Sequence, residues 1–187
     1  MKKAGYSQSI LYVVTALLLI INVALILQNL ELRSKFKGIK PLQAKEGEKF
    51  GSFRAINLSN EDVLMDFSSD KESILLFLST TCGYCRKQMP YWTDLVAKVD
   101  KGRYRITAIT TETDNEAING YIDEYKIYDW EILKIRPDEA LAANLTATPT
   151  TIVLDKSGRV VKVWTGLWQT GYLNSVSEYF SVEPFKQ

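Results

Sequence analysis

From Ile10 to Leu27 the chain carries no charge, and only Thr15 and Asn22 interrupt the apolar run. These eighteen residues, or twenty-one counted to Leu30, are long enough as a helix to cross a hydrocarbon core with little tilt. A transmembrane anchor is therefore expected over 10–30, behind a short cytoplasmic N-terminus, 1–9, that carries Lys2 and Lys3. A cleaved signal peptide shares the basic start, but its apolar core is usually shorter. The residues that follow, Gln28-Asn29-Leu30-Glu31-Leu32, also offer no small-x-small cleavage site. Residues 31–49 turn polar and charged, with Gly38, Pro41 and Gly47, and read as a linker. Shorter patterns begin at Phe50, and the region 50–187 is expected to form one folded domain.

Within that domain, Phe50–Leu58 alternates imperfectly and Val63–Phe67 is a second weak strand pattern. Together they predict a leading hairpin at the edge of the fold. Ser73–Leu78 is apolar at successive positions, as in a central strand covered on both faces. A helical pattern follows from about Tyr84 to Val99, and Tyr104–Thr110 returns as a strand that closes a β-α-β unit. Thr113 or Asp114 is placed to cap a helix that buries Ala117, Ile118, Tyr121, Ile122 and Tyr125. Trp130–Ile135 is extended, and Pro137 opens a short helix through Leu145. Thr150–Leu154 and Val160–Trp164, joined by Asp155-Lys156-Ser157-Gly158, form the clearest hairpin, which Gly166 ends. Thr170 or Gly171 starts a last helix with Tyr172, Leu173, Val176, Tyr179 and Phe180 on its apolar side. The expected class is α/β: a mixed sheet with helices on both faces and an N-terminal β-hairpin extension.

Charge divides the chain unevenly. Residues 1–40 hold six basic residues against one acidic, and 41–187 hold seventeen against twenty-one. A mildly acidic body without a basic stripe gives no reason to expect nucleic acid as a partner. Basic residues flank the apolar run on both sides, so the positive-inside rule leans weakly against export of the body. Cysteine usage leans the other way. A chain with two cysteines, both in one motif, suits an oxidising compartment where stray thiols are hazards. The body is expected on the extracytoplasmic side of the cytoplasmic membrane.

Those two cysteines carry the candidate chemistry. Cys82-Gly83-Tyr84-Cys85 joins the apolar strand to the helix, where free N–H groups and the positive end of the helix dipole favour a thiolate. This is the layout of a dithiol redox centre. A zinc site needs about four ligands, and the chain has neither histidine nor a third cysteine. No metal or cofactor is expected, and the missing histidine also disfavours a copper chaperone. An inert disulfide would close so small a loop that it would stabilise little. Thr81, Arg86, Lys87 and Gln88 are candidates for tuning the thiolate, with a plain solvated surface as the alternative for the two cations. Tyr84, Trp92 and Trp130 are candidates for an apolar rim, with core packing the alternative for Trp92. Ala147-Thr148-Pro149-Thr150 precedes a strand. Its proline reads either as punctuation or as a cis proline whose neighbour Thr148 presents backbone groups beside Cys82.

Cys82-x-x-Cys85, Pro90 five residues on, and Thr148-Pro149 before a strand together resemble the thioredoxin-fold superfamily, over Phe50 to Phe180. The anchor, the leading hairpin and the segment inserted after Ile109 are similar to its membrane-tethered, extracytoplasmic TlpA- and ResA-like branch. That branch delivers electrons to disulfides of exported proteins, notably apocytochromes c. The resemblance implies that Cys82 is the nucleophile, Cys85 the resolving thiol and Pro149 a cis proline shaping a substrate groove with Thr148 and Tyr84. It implies protein disulfide substrates and an upstream membrane electron donor. Thr81-Cys82-Gly83-Tyr84-Cys85 with Thr148 instead resembles the Dsb-type disulfide isomerases. Isomerisation or oxidation through the same residues is thus an open alternative; a peroxidase and a redox-inert assembly protein are weaker ones. Leu76 and Gln88 stand where the family often has acids that accept the proton of the resolving thiol, and Gln88 cannot take one at physiological pH.

Overall fold

The continuous apolar stretch at Ser73–Leu78 becomes an interior strand, between two neighbours, of a seven-stranded sheet. The computed structural model describes residues 4–36, 44–143 and 145–185, with side chains of the first segment described over 12–28. The chain divides into two compact units, Met1–Pro41 and Leu42–Gln187.

The first unit is a single helix, α1 (Ala4–Phe36). Its described side chains are exposed on every side, with Leu17, Leu18, Leu19, Ile20 and Ile21 in succession. Among the described residues, no helix is long and apolar enough to cross a membrane. Side chains at both ends of the span expected over 10–30, and linker residues 37–43, lie outside the described residues.

In the second unit β1 (Phe53–Ile56) and β2 (Asp62–Met65) form the leading hairpin. Then come β3 (Glu72–Leu78), α2 (Gly83–Lys98), β4 (Tyr104–Thr110), α3 (Asn115–Tyr125) and β5 (Glu131–Lys134). The chain ends with α4 (Pro137–Ala142), the hairpin β6 (Thr150–Leu154) and β7 (Val160–Thr165), and α5 (Thr170–Phe180). The order across the sheet is β2-β1-β5-β4-β3-β6-β7. Strands β3, β4 and β5 are parallel, and the pairs at either side are antiparallel. Both parallel crossovers step the same way along the sheet, so right-handed connections put α2 and α3 on the same face.

The period of two in β3 sorts its side chains. Ile74, Leu76 and Leu78 face α2, α3 and α5, whereas Leu75 and Phe77 face a second core with Phe50, Phe53, Phe67 and α4. Burying each of these chains stabilises the fold by about 1.5–3 kcal/mol. Helices thus flank both faces, three against one. The hairpin meets β5 at a single residue pair, Ile56 with Lys134. Two boundaries and one apolar position differ from expectation most clearly. Helix α4 stops at Ala142 and not at Leu145, because the Leu145 amide turns back to the Ala140 carbonyl at 2.8 Å and its side chain enters the second core. Strand β2 stops at Met65, and Phe67 packs against Phe50 with ring centroids 5.3 Å apart. Tyr172 is 43% exposed, since the buried stripe of α5 centres on Leu173 and Val176.

The β6–β7 turn needs its glycine: Gly158 has φ +77°, and a Cβ there would lie 3.3 Å from Phe67 Cβ. Gly158→Ala is expected to destabilise the protein by roughly 1–2 kcal/mol, the usual cost of a side chain in the left-handed region. Urea denaturation followed by circular dichroism measures it, and an unchanged midpoint would contradict the assignment.

Candidate active site

The redox loop leaves the carboxyl end of β3 and enters α2 through an unusual cap. Cys82 is itself the N-cap residue, in extended conformation, and its Sγ accepts the Cys85 backbone N–H at 3.3 Å. A cap atom serves the free N–H groups of the first turn, so the sulfur lies where a negative charge is favoured. Cys82 is half-buried, whereas Cys85, one turn into the helix, is 0% exposed. Both are thiols. The helix therefore presents the first sulfur and encloses the second.

Their ionisation diverges for the same reason. Partial burial works against the Cys82 thiolate, but hydrogen bonds from Cys85, from Thr148 and from the Tyr84 amide outweigh it, and its pKa lies below the ordinary 9.0. Burial, and then the hydrogen bond with Cys82, pushes Cys85 up to about 12. One thiol is primed and the other is held neutral.

The chain returns to this site 66 residues later. The Thr148–Pro149 peptide bond is cis. The Cys82 thiol lies 3.8 Å from the Thr148 carbonyl oxygen as its donor. Behind the loop, Thr80 donates to Glu112 at 3.1 Å, tying the loop to the segment after β4. Ser79 and Thr81 share a hydroxyl–hydroxyl contact of 3.1 Å on the exposed side.

The other candidates divide by position. Tyr84 is 64% exposed beside the cysteines, with the Lys87 ammonium 5.9 Å from its ring centroid. Arg86 is bound by Glu124 of α3, at 2.8 and 2.6 Å, and its charge is not among the causes that lower Cys82. Hydrogen bonds made at the helix start lead the causes that lower Cys82. Gln88 is fully buried, and its Oε1 accepts the Trp168 backbone N–H at 2.8 Å. Two rim candidates belong elsewhere. Trp92 is buried in the core and donates its indole N–H to Thr151 at 2.8 Å. Trp130 precedes β5, at the amino ends of the parallel strands, and lines a hollow with Tyr104 and Ile106 away from the cysteines. Sequence reasoning missed Glu112 and Glu124. Only the position of Glu112, just past the carboxyl end of a parallel strand where such sheets gather their sites, offered a signal.

Two outcomes follow from this electrostatic arrangement. In the reduced protein, iodoacetamide is expected to label Cys82 with a midpoint below pH 9.0 and to leave Cys85 unlabelled there. Cys85→Ala removes a donor and should raise that midpoint; Glu124→Gln, which frees Arg86, should leave it in place. A midpoint that moved with Glu124→Gln would restore the cation as the tuning group. The stability of the reduced fold carries the signs of the two shifts. The raised Cys85 gives a share that is whole below pH 9.0 and is lost as pH rises towards about 12. The lowered Cys82 gives a share present above pH 9.0 and lost as pH falls through its folded value. Comparing urea midpoints of Cys82→Ala and of Cys82→Ala/Cys85→Ala protein from pH 8 to pH 11 isolates the part of the first share that burial of Cys85 causes, which a flat difference would exclude.

The chain matches the Redoxin family over residues 45–180. It is 25% identical over 123 residues to the thiol-disulfide oxidoreductase ResA of Halalkalibacterium halodurans, covering 66% of this chain and 70% of that one. The fold is shared with the thioredoxin domain of a thiol-disulfide oxidoreductase from Bacteroides vulgatus, at 22% identity and a TM-score of 0.55, over 74% of this chain and 99% of that one. It is shared also with StoA of Bacillus subtilis, at 17% identity and a TM-score of 0.52, over 67% and 96%. The chain belongs to the Redoxin family, as a thiol-disulfide oxidoreductase of thioredoxin-like fold.

Proposed function

We propose that the protein is tethered to the cytoplasmic membrane by its N-terminal helix and uses the Cys82/Cys85 dithiol to reduce disulfides of exported proteins, with apocytochromes c as a substrate class. The observation that carries the dithiol is the contrast within one helical turn between an accessible, acid-shifted Cys82 and an enclosed, neutral Cys85. The Cys82 thiolate attacks one sulfur of a substrate disulfide, and the other leaves as a thiolate and takes up a proton. Cys85 then attacks Cys82 Sγ, the mixed disulfide breaks, and the second substrate sulfur gains the proton that Cys85 loses. Two electrons have passed to the substrate, and Cys82–Cys85 is a disulfide. A membrane electron donor restores the dithiol. The Thr148 carbonyl and the exposed Tyr84 flank the sulfur that substrate must approach.

Tethering is supported by the apolar run from Ile10 to Leu27 and by side chains that are apolar around the described part of α1. A helix apolar on all sides has no face to present to water. The extracytoplasmic side is favoured by cysteine usage, since two cysteines confined to one motif suit an oxidising compartment. Reduction is favoured over isomerisation because a single tethered domain suits repeated delivery of electrons to nearby substrates.

The lowered Cys82 pKa supports a second reading, since a thiolate stabilised in the reduced state makes a centre more oxidising. Two measurements decide. Cys85→Ala protein is expected to accumulate mixed disulfides with substrates and Cys82→Ala protein is not; equal trapping by both would refute the assignment of roles. A glutathione or dithiothreitol redox titration is expected to give a potential well below about −120 mV, the level of a strong oxidant, and a value there would replace the reductase reading with the oxidising one.

A further inference from the structure

Lys134 is a cation in an unusual place. It ends β5 with 7% of its surface exposed, and its ammonium donates to two neutral acceptors, Asn60 Oδ1 at 2.7 Å and Asn115 Oδ1 at 2.8 Å. Among the described residues no carboxylate forms an ion pair with it. Buried charges are normally paired, because neutral acceptors return only part of what leaving water costs. An ammonium has three protons, and two of them are accounted for.

Its neighbours enlarge the imbalance. The strand period gives Ile132 and Lys134 to the α3 side of the sheet, while Leu133 and Ile135 enter the second core. The one pair that joins β1 to β5 sets Ile56 beside Lys134. Two residues outward along each chain, the antiparallel arrangement brings Arg54 opposite Arg136 on that same side. Like charges facing each other in this way repel. Arg54, Lys134 and Arg136 together line a cavity of about 150 Å³. Arg136 has two acids of α4 beside it, Asp138 at 3.6 Å and Glu139 at 3.3 Å. Arg54 is exposed and, among the described residues, has no hydrogen-bond or ion-pair partner. Asp62 also lines the cavity but pairs with none of the three cations.

The cavity lies on the same edge of the sheet as the dithiol. Leu78, Thr110 and Lys134 are in register across β3, β4 and β5, each at the carboxyl end of its strand. The redox loop leaves the sheet at Leu78. Two strand spacings, about 9–10 Å, separate the outer two of these ends, and an extended peptide crosses that distance in roughly three residues. The four residues from Leu78 to Cys82 lengthen the path slightly.

We propose that this cavity is a subsite for a carboxylate of the protein substrate, an aspartate or glutamate side chain roughly three to five residues from the cysteine that Cys82 attacks. The inference rests on the thiol–disulfide reading above and names a feature of its substrates. The planar guanidinium of Arg54 offers a carboxylate two parallel N–H donors, and Lys134 supplies its remaining proton. The volume equals that of about five waters at roughly 30 Å³ each, room for one carboxylate and its stem. The attraction is local. Residues 41–187 carry seventeen basic against twenty-one acidic residues, so the field of the whole body turns acidic peptides away.

The test uses the full-length reduced protein and disulfide-bonded peptides in which one glutamate is moved stepwise away from the disulfide, each with a glutamine twin. Peptide thiols are followed by chromatography, and the glutamate-to-glutamine rate ratio within each protein is the readout. Glutamate at the proposed spacing is expected to react roughly three- to tenfold faster than its twin, the scale of a partly buried charge pair. Other spacings should show no preference. Arg54→Gln, a change at an exposed side chain, should shrink the ratio to less than about twofold, and inorganic phosphate at constant ionic strength should do the same. Lys134→Met should act in the same sense. Because Lys134 also clamps Asn60 to Asn115, circular dichroism checks its fold, and Arg54→Gln decides alone if that fold is lost. Equal rates for every pair of twins would overturn the subsite while the dithiol reading stands. A glutamate preference that survives Arg54→Gln unchanged would overturn it too. So would a phosphate-induced rise in the urea midpoint without any glutamate preference, which would make the cavity a site for a free oxyanion. A parent protein that reduces none of the peptides would overturn both readings.

Discussion

A sulfur atom caps α2, and the site depends on that one substitution of chemistry for the usual oxygen. Capping requires an acceptor at the junction of strand and helix, pointing back at the first turn. Here the acceptor is also the nucleophile, so the geometry that starts the helix lowers the barrier to forming the thiolate. The next cysteine must then face the core, because three residues of helix turn it to the side where Met89 and Trp92 already lie. The asymmetry between the sulfurs is a property of helical geometry, and it needs no neighbouring cation.

Much of this was legible along the chain, and the legible parts share a cause. The strand at Ser73–Leu78, the helix after it and the β6–β7 hairpin are local patterns, each fixed by a period or a turn residue. Cys82, Cys85 and the Thr148–Pro149 pair stood out because few other residues can do what they do. What stayed hidden was long-range. Nothing near Arg86 announces Glu124, 38 residues away, and the solvated or thiolate-facing alternatives gave way to an ion pair between helices. Trp92 and Trp130 look equally fit for a rim from composition alone. One is enclosed in the core and the other lies at the amino ends of the parallel strands. Lys134 reads as a surface residue, yet it is buried and held by Asn60 and Asn115 at 2.7 and 2.8 Å.

Leu76 and Gln88 show how a departure from family habit can be absorbed. An acid beside the resolving thiol supplies a proton acceptor, but it also brings a buried charge that must be kept neutral or paired. An amide and an apolar side chain remove that liability. The cost moves to the moment of reaction, when the sulfur itself becomes the buried anion and its surroundings must already be in place.

The single point at which the leading hairpin meets β5 gives this sheet two kinds of cohesion. From β5 to β7 the strands are joined by ladders of hydrogen bonds. The β1–β2 ribbon is joined to β5 by that pair, by the Lys134–Asn60 hydrogen bond at 2.7 Å, and by an apolar cluster that includes Phe53, Ala55, Met65, Leu133 and Ile135. Apolar adhesion of that sort weakens on cooling. The edge of the sheet farthest from the final hairpin is therefore a cold-sensitive seam, able to loosen at low temperature while the strand that carries the cysteines stays clamped between its neighbours.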